Sequence, residues 1–146
     1  MAEEPVIPSS SQDHALEVTN GIEAIAKFNT LIEKFSLPKG IFPLLNVEEF
    51  GFDPQVNTWW LKLKKKCEHE FNNAKQIVVY MQNISGKIQK GKIFDLKGLK
   101  LKSNVHKELF LPVSAKGIFI DDPPTEKIHF ENAHGNVESF SIEAFV

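Results

Sequence analysis

The segment Thr58 to Lys64 constrains the fold of this chain more than any other: Trp59, Leu61 and Leu63 occupy odd positions, and Trp60, Lys62 and Lys64 even ones. A β-strand turns successive side chains to opposite faces, so this spacing predicts a strand with Trp and Leu toward a core and Trp and Lys toward solvent. The same period governs the chain from Val47 onward. Gln76 to Lys90 begins with the continuous apolar run Ile77 to Met81 and then settles to Ile84 and Ile88. A continuous run predicts cover on both faces, for which a helix is the candidate. Lys90-Gly91 and Lys97-Gly98 punctuate short strands around Ile93-Phe94 and Leu99 to Leu101. Leu109, Leu111 and Val113 are odd, whereas Ile118 and Ile120 are even. A slip of one residue swaps faces, so a β-bulge is expected near Pro112 and Gly117. Asp121-Asp122-Pro123-Pro124-Thr125 predicts a turn, and His134-Gly135 a hairpin turn between Ile128-Phe130 and Phe140.

One helix is expected ahead of these strands. Asn20 is placed to cap it, with Glu23 three positions on. Ile22, Ile25, Ala26, Ile32 and Phe35 fall on one face, with Glu23, Lys27 and Lys34 off it. Pro38 disfavours the α region at Leu37 and should end the helix. Leu37 to Pro43 must then be a specific loop. The fold class that follows is mainly β: about seven or eight strands in an antiparallel meander curled into an open barrel or sandwich, preceded by one α-helix.

With 146 residues, 42% of them hydrophobic, the chain suits one domain with a real core. Residues 1–18 are polar and expected to be a disordered tail, and residues 19–146 the domain. The single cysteine, Cys67, excludes an internal disulfide and points to a reducing compartment. The acidic, proline-interrupted N-terminus lacks the pattern of a signal peptide, and no window has the length of apolar chain a membrane span needs. A soluble, cytoplasmic protein is expected.

Charge is unevenly spread. Residues 62–107 carry twelve Lys against three acids, whereas both flanking segments are acidic and the net charge is −2. A basic middle of this kind suits an anionic partner. All seventeen positive residues are Lys and none is Arg. Arg is the usual bidentate reader of bases, so the bias argues against sequence-specific nucleic-acid recognition. The candidate binding residues are Lys62, Lys64, Lys65 and Lys66, then Lys87, Lys90 and Lys92 on the following hairpin. Trp60 alternates onto the same face as a candidate interfacial anchor. A solvated sheet face whose lysines protect against edge pairing explains the same residues. A curled, Phe-rich sheet could also hold an apolar ligand in its mouth, unless side chains fill it.

No catalytic motif is present. Cys67 and His69 share a strand face, but zinc needs three or four converging ligands. His129 alternates outward, and Asp121-Asp122 reads as part of a turn. There is no Gly-x-Ser-x-Gly elbow and no Gly-rich phosphate loop. Ser114, Ser139 and Ser141 lie in strand-like segments with no His nearby in sequence. A triad assembled from distant residues is left open. No cofactor and no metal are expected.

Several stretches resemble the plant family catalogued as domain of unknown function 538. They are Leu37-Pro38-Lys39-Gly40-Ile41-Phe42-Pro43, Leu61 to His69, Gly91-Lys92-Ile93 with Leu96 to Lys100, Asp121 to Thr125 with Lys127-Ile128, and Ser139-Phe140 to Ala144-Phe145. The chain departs from the pattern by an insertion of about five residues between Lys100 and Lys107, of hairpin length. It also departs at Pro112, where similar sequences often have Trp. The resemblance implies an open β-barrel similar to one half of the bactericidal/permeability-increasing lipid-binding proteins. For activity it implies only suggestions: lipid binding, and binding or hydrolysis of pigment such as chlorophyll. It supplies no catalytic residue. The expected function is a non-enzymatic binding module for a lipid or other apolar molecule, or for an anionic membrane surface. A protein-interaction adaptor with an acidic partner and an ester hydrolase are the alternatives.

Overall fold

The computed structural model describes residues 16–103 and 112–146. Among them nine antiparallel strands form one sheet. These are β1 (Glu17–Asn20), β2 (Val47–Asp53), β3 (Thr58–Leu63), β4 (Cys67–Phe71), β5 (Gln76–Gln89), β6 (Lys92–Ser103), β7 (Val113–Ile120), β8 (Lys127–Asn132) and β9 (Val137–Ser141). The spatial order is β1-β2-β3-β5-β6-β7-β8-β9, an open sheet with β1 and β9 at its ends. Strand β5 is long and carries two partners in succession on one edge. Its first half, from Gln76 to Tyr80, pairs with β4, and its second, from Asn83 to Lys87, with β3. The strands exceed the expected seven or eight because β1 and β4 are polar sequences without alternating hydrophobicity. Glu17 and Val18, read as the end of the tail, belong to β1, which pairs with β2.

The alternation in β3 is realised as expected. Trp59, Leu61 and Leu63 are buried, and Lys62 and Lys64 are exposed. The inner face curls around a helix, α1 (Glu23–Lys34), and a loop. Phe28 of α1 meets Phe42 at 4.9 Å, Trp59 at 5.0 Å and Phe50 at 5.5 Å between ring centroids. At the other end Phe145 packs on Phe71 at 4.7 Å and Phe130 at 5.3 Å. Tilted and edge-on contacts at these spacings suit the ring quadrupoles.

The helix differs from expectation at both ends. Asn20 lies in β1 and caps nothing; the N-cap is Ile22, without a side-chain cap bond. Ala24, Phe28, Leu31 and Ile32 are the buried face, while Ile22 is 94% exposed and Ala26 is also exposed. The larger side chains at Phe28 and Leu31 bury more apolar area than Ile22 and Ala26 would, and they turn the helix toward the sheet. The helix also ends before Pro38 acts. Ser36 takes a left-handed conformation (φ 68°), Leu37 N–H donates to Ile32 and Ser36 N–H to Glu33. This is a Schellman stop with Ser in the position glycine usually holds.

The Leu37–Pro43 loop plugs the curl. It contains a 3-10 turn, Lys39–Ile41, and buries Leu37, Ile41 and Phe42. Tyr80 donates its hydroxyl proton to the Ile41 carbonyl. Gly40 lies against the C-terminal turn, where a Cβ would come within 2.0 Å of the Phe145 carbonyl oxygen. The inner face of β5 is therefore covered by this loop, while α1 packs mainly on β1, β2 and the loop and reaches β3 through Phe28 against Trp59. On the outer face Ile77 and Val79 are buried too, flanked across the ladders by Glu70 and Lys102, and by Glu68 and Lys100.

In the C-terminal half one expectation is corrected and one is met. The segments around Ile93 and Leu101 are one strand, β6, whose path is broken by Asp95 (φ 49°) and Gly98 (φ 94°) without leaving the sheet. The expected bulge lies at Ala115–Gly117, where β7 shifts register against β8. Leu109, Leu111 and the core of the proposed insertion lie outside the described residues.

Candidate functional site

Three features could bind or transform a ligand. The first is the outer face of the sheet. Lys62 of β3 stands opposite Asn83, Lys87 of β5 opposite Thr58 and Phe94, and Lys97 of β6 opposite Ser85. Lys92, Lys100 and Lys102 share that face through their pairing with Phe119, Ser114 and Ile77. Lys64, Lys65 and Lys66 instead occupy the bend between β3 and β4, and Lys90 the β5–β6 turn. The ends of β3 separate these two groups by about 17 Å at the usual strand rise. The eight candidates therefore do not form one cluster.

A different set converges. Lys87 and Lys97 are joined by Lys116, from the β7 bulge, around a depression of about 430 Å³ that Thr58, Ser85 and Asp95 also line. Lys116 was not legible as a site residue, because it arrives only where β6 and β7 lose their pairing between Ile93 and Lys100. Other lysines on this face have acidic neighbours. Lys102 pairs with Glu68 at 3.4 Å, and Lys62 is opposite Glu49.

Trp60 does lie on the outer face, but half-buried. Its ring covers Gly51, where a Cβ would come within 1.9 Å of it, and its indole N–H donates to Glu49 Oε2 at 2.8 Å. The glycine makes room for the ring and the carboxylate fixes it, so Trp60 is engaged within the sheet.

The second feature is a groove of about 700 Å³ between α1 and the β1–β2 end of the sheet. Ala26, Leu31, Phe50, Phe52 and Pro54 give it an apolar lining; Glu23, Lys27, Thr30 and Lys34 stand on its helical rim and Glu17 on the β1 side. The curl itself is filled by side chains from both aromatic groups, so the space lies beside the core, at the margin of the helix.

The third is a polar chain across β8, β9 and the Asp121–Thr125 turn. Strand register sets His129 directly opposite Ser139 and Phe119. His129 Nδ1 is 2.7 Å from Ser139 Oγ, and Nε2 is 2.9 Å from Asp121 Oδ1. The Thr125 hydroxyl donates to Asp121 Oδ2 at 2.6 Å. Thr125 and then His129 hold the Asp121 carboxyl below its ordinary pKa by bonding its charged form. Ser139 has no histidine nearby in sequence; the hairpin supplies one across the strands. A turn centred on His134-Gly135 would set His129 opposite Phe140; the register is centred one half-step earlier, on His134 itself, and only that register brings His129 opposite Ser139.

Cys67 and His69 stand on β4 opposite Tyr80 and Val78. Burial pushes the Cys67 thiol up from its ordinary pKa. Among the described residues no group of three His, Cys, Asp or Glu is placed to hold a metal ion. No helix among them is long and apolar enough to cross a membrane.

The architecture defines a class: an open, antiparallel sheet curled around one short helix, with its polar chemistry on the convex side. Residues 28–146 match the model of the family described as "Protein of unknown function, DUF538", and the chain belongs to that family. Comparison with curated proteins and with solved structures gives no match.

Proposed function

We propose that this protein is a binding module for an amphiphile with an apolar tail and an anionic head. The observation that carries the reading is the groove beside α1. Its volume lies in the range of small-ligand sites, and apolar walls with a few polar groups at the rim suit such a ligand. The tail would lie against Phe50, Phe52 and Leu31. Lys27 and Lys34, two helical turns apart on one stripe, have no ion pair among the described residues and would meet the head.

Titration with laurate, followed by amide shifts and calorimetry, tests this. Saturable shifts at Leu31, Phe50 and Phe52, abolished by Ala26→Trp and weakened by Lys34→Glu, are expected. Saturation that survives Ala26→Trp in a folded variant would place the ligand elsewhere and end the reading.

A second reading is favoured by the convergence of Lys87, Lys97 and Lys116: docking on an anionic membrane surface. Each Lys near such a surface contributes about 1 kcal/mol, and salt screens the attraction. Flotation with phosphatidylserine vesicles should be lost in Lys87→Glu/Lys97→Glu/Lys116→Glu and at high salt. Equal flotation of that variant excludes these lysines as the dock.

A further inference from the structure

The geometry points to Ser139, His129 and Asp121 as a nucleophile–base–carboxylate relay that accepts the acyl group of a carboxylic ester. The protonation pattern follows from chemistry. An ionised Asp121 can only accept, so the nitrogen facing it, Nε2, carries the ring proton of the neutral imidazole. Nδ1 is then left with its lone pair, and Ser139 Oγ–H donates to it. This is the arrangement needed to draw a proton from a serine hydroxyl during attack.

The two ring nitrogens are exchanged relative to the familiar serine-hydrolase order, in which the serine meets Nε2. Strand geometry explains why. Directly opposed residues hold their Cβ atoms about 5 Å apart, so a short serine reaches only the near nitrogen of its cross-strand histidine. The far nitrogen extends beyond β8 to the carboxylate that the following turn holds in place. Either nitrogen can serve as the base.

Access is also suitable. Ser139 is exposed on the end strand, whereas the His129 side chain is only 15% exposed. Phe119 covers the imidazole, with ring centroids 4.9 Å apart, and offers an apolar plate beside the hydroxyl. The Lys92 ammonium lies over the Phe119 ring, 6.0 Å from its centroid.

The chemistry balances with water as the second reactant. Ser139 Oγ bonds to the ester carbonyl carbon as its proton passes to His129 Nδ1. The carbon–alkoxy bond breaks, and the leaving alkoxide takes that proton. Water then adds to the acyl-serine, giving a proton to Nδ1. The carbon–Oγ bond breaks, Ser139 recovers the proton, and the carboxylic acid departs. Asp121 touches no reacting atom. It is a positioning residue that fixes the tautomer and faces the imidazolium.

The test uses the full chain with a fluorophosphonate probe and, separately, p-nitrophenyl butyrate. Mass spectrometry should find the phosphonyl adduct on Ser139, absent in Ser139→Ala. Ester turnover should fall at least about 100-fold in Ser139→Ala and His129→Gln, the usual scale of general-base loss. Asp121→Asn should lower kcat with little change in KM and alter the pH profile of the rate, which a purely structural contact would not do. Circular dichroism checks that each variant folds, and Ser139, being exposed, is the safest of the three. Wild-type protein without an adduct at Ser139, or turnover unchanged in folded Ser139→Ala, would overturn the assignment. These readouts are independent of the groove, so Ala26→Trp should leave the adduct intact.

Discussion

The two faces of β3, β5 and β6 are built from alternate residues of the same strands, yet they differ in kind. The inner face is closed: Trp59, Leu61, Tyr80, Ile84, Ile93 and Leu99 join one packed cluster with the helix and the Leu37–Pro43 loop. The outer face carries lysines with few ion partners among the described residues, and the same side of the sheet continues to the hydroxyl–imidazole–carboxylate chain on β8, β9 and the Asp121–Thr125 turn. A strand spends half its side chains on packing, which leaves the other half free to carry chemistry. Function in this fold is therefore expected outside the curl.

Substitutions that truncate the inner face should cost most. Trp59→Ala removes the side chain that Phe28 and Phe42 pack against, and should destabilise by about 3–5 kcal/mol in urea unfolding. Tyr80→Phe leaves the Ile41 carbonyl without its donor, for a smaller loss of about 1–3 kcal/mol. It should also change the alkaline limb. Burial first, and Cys67 second, raise the Tyr80 pKa well above its ordinary value. The unfolded chain then loses that proton first, so stability is full below about pH 10 and declines as pH rises beyond it. Tyr80→Phe should flatten this decline in denaturant midpoints taken from neutral to alkaline pH.

Trp60→Ala tests the half-buried exception on the outer face. It should cost about 1–2 kcal/mol, through lost cover of Gly51 and lost bonding to Glu49. Ser36→Gly should stabilise by about 0.5–1 kcal/mol, because glycine adopts the left-handed helix stop at no steric cost. Lys62→Gln should change stability by no more than about 0.5 kcal/mol, because the side chain is exposed and the swap sets no like charge opposite Glu49. A larger effect there than at Trp59 would erase the distinction between the faces.

How far the sequence shows this division depends on the residue. Trp59 and Lys62 are legible as inward and outward because strand alternation is local. The helix face is less so: Ile22 and Ala26 fit the period as well as Phe28 does, and the tertiary partners Trp59 and Phe42 decide. β1 (Glu-Val-Thr-Asn) and β4 (Cys-Glu-His-Glu-Phe) escape notice because pairing with β2 and β5, more than their own composition, makes them strands. The groove depends on where α1 comes to rest against β2. The Lys87–Lys97–Lys116 depression depends on a lapse of pairing between β6 and β7. Neither has a local signature.

The doubly paired edge of β5 has a consequence for how the molecule opens. The strand is held by two successive partners on one side and by β6 on the other, whereas β9 has β8 alone as its strand partner among the described residues. Deuterium should accordingly enter the β9 amides early and those of Val78 to Tyr80 last, since local opening starts where fewest contacts must break. The serine on β9 thus belongs to the part of the sheet that breathes first, while its histidine on β8 sits one strand deeper.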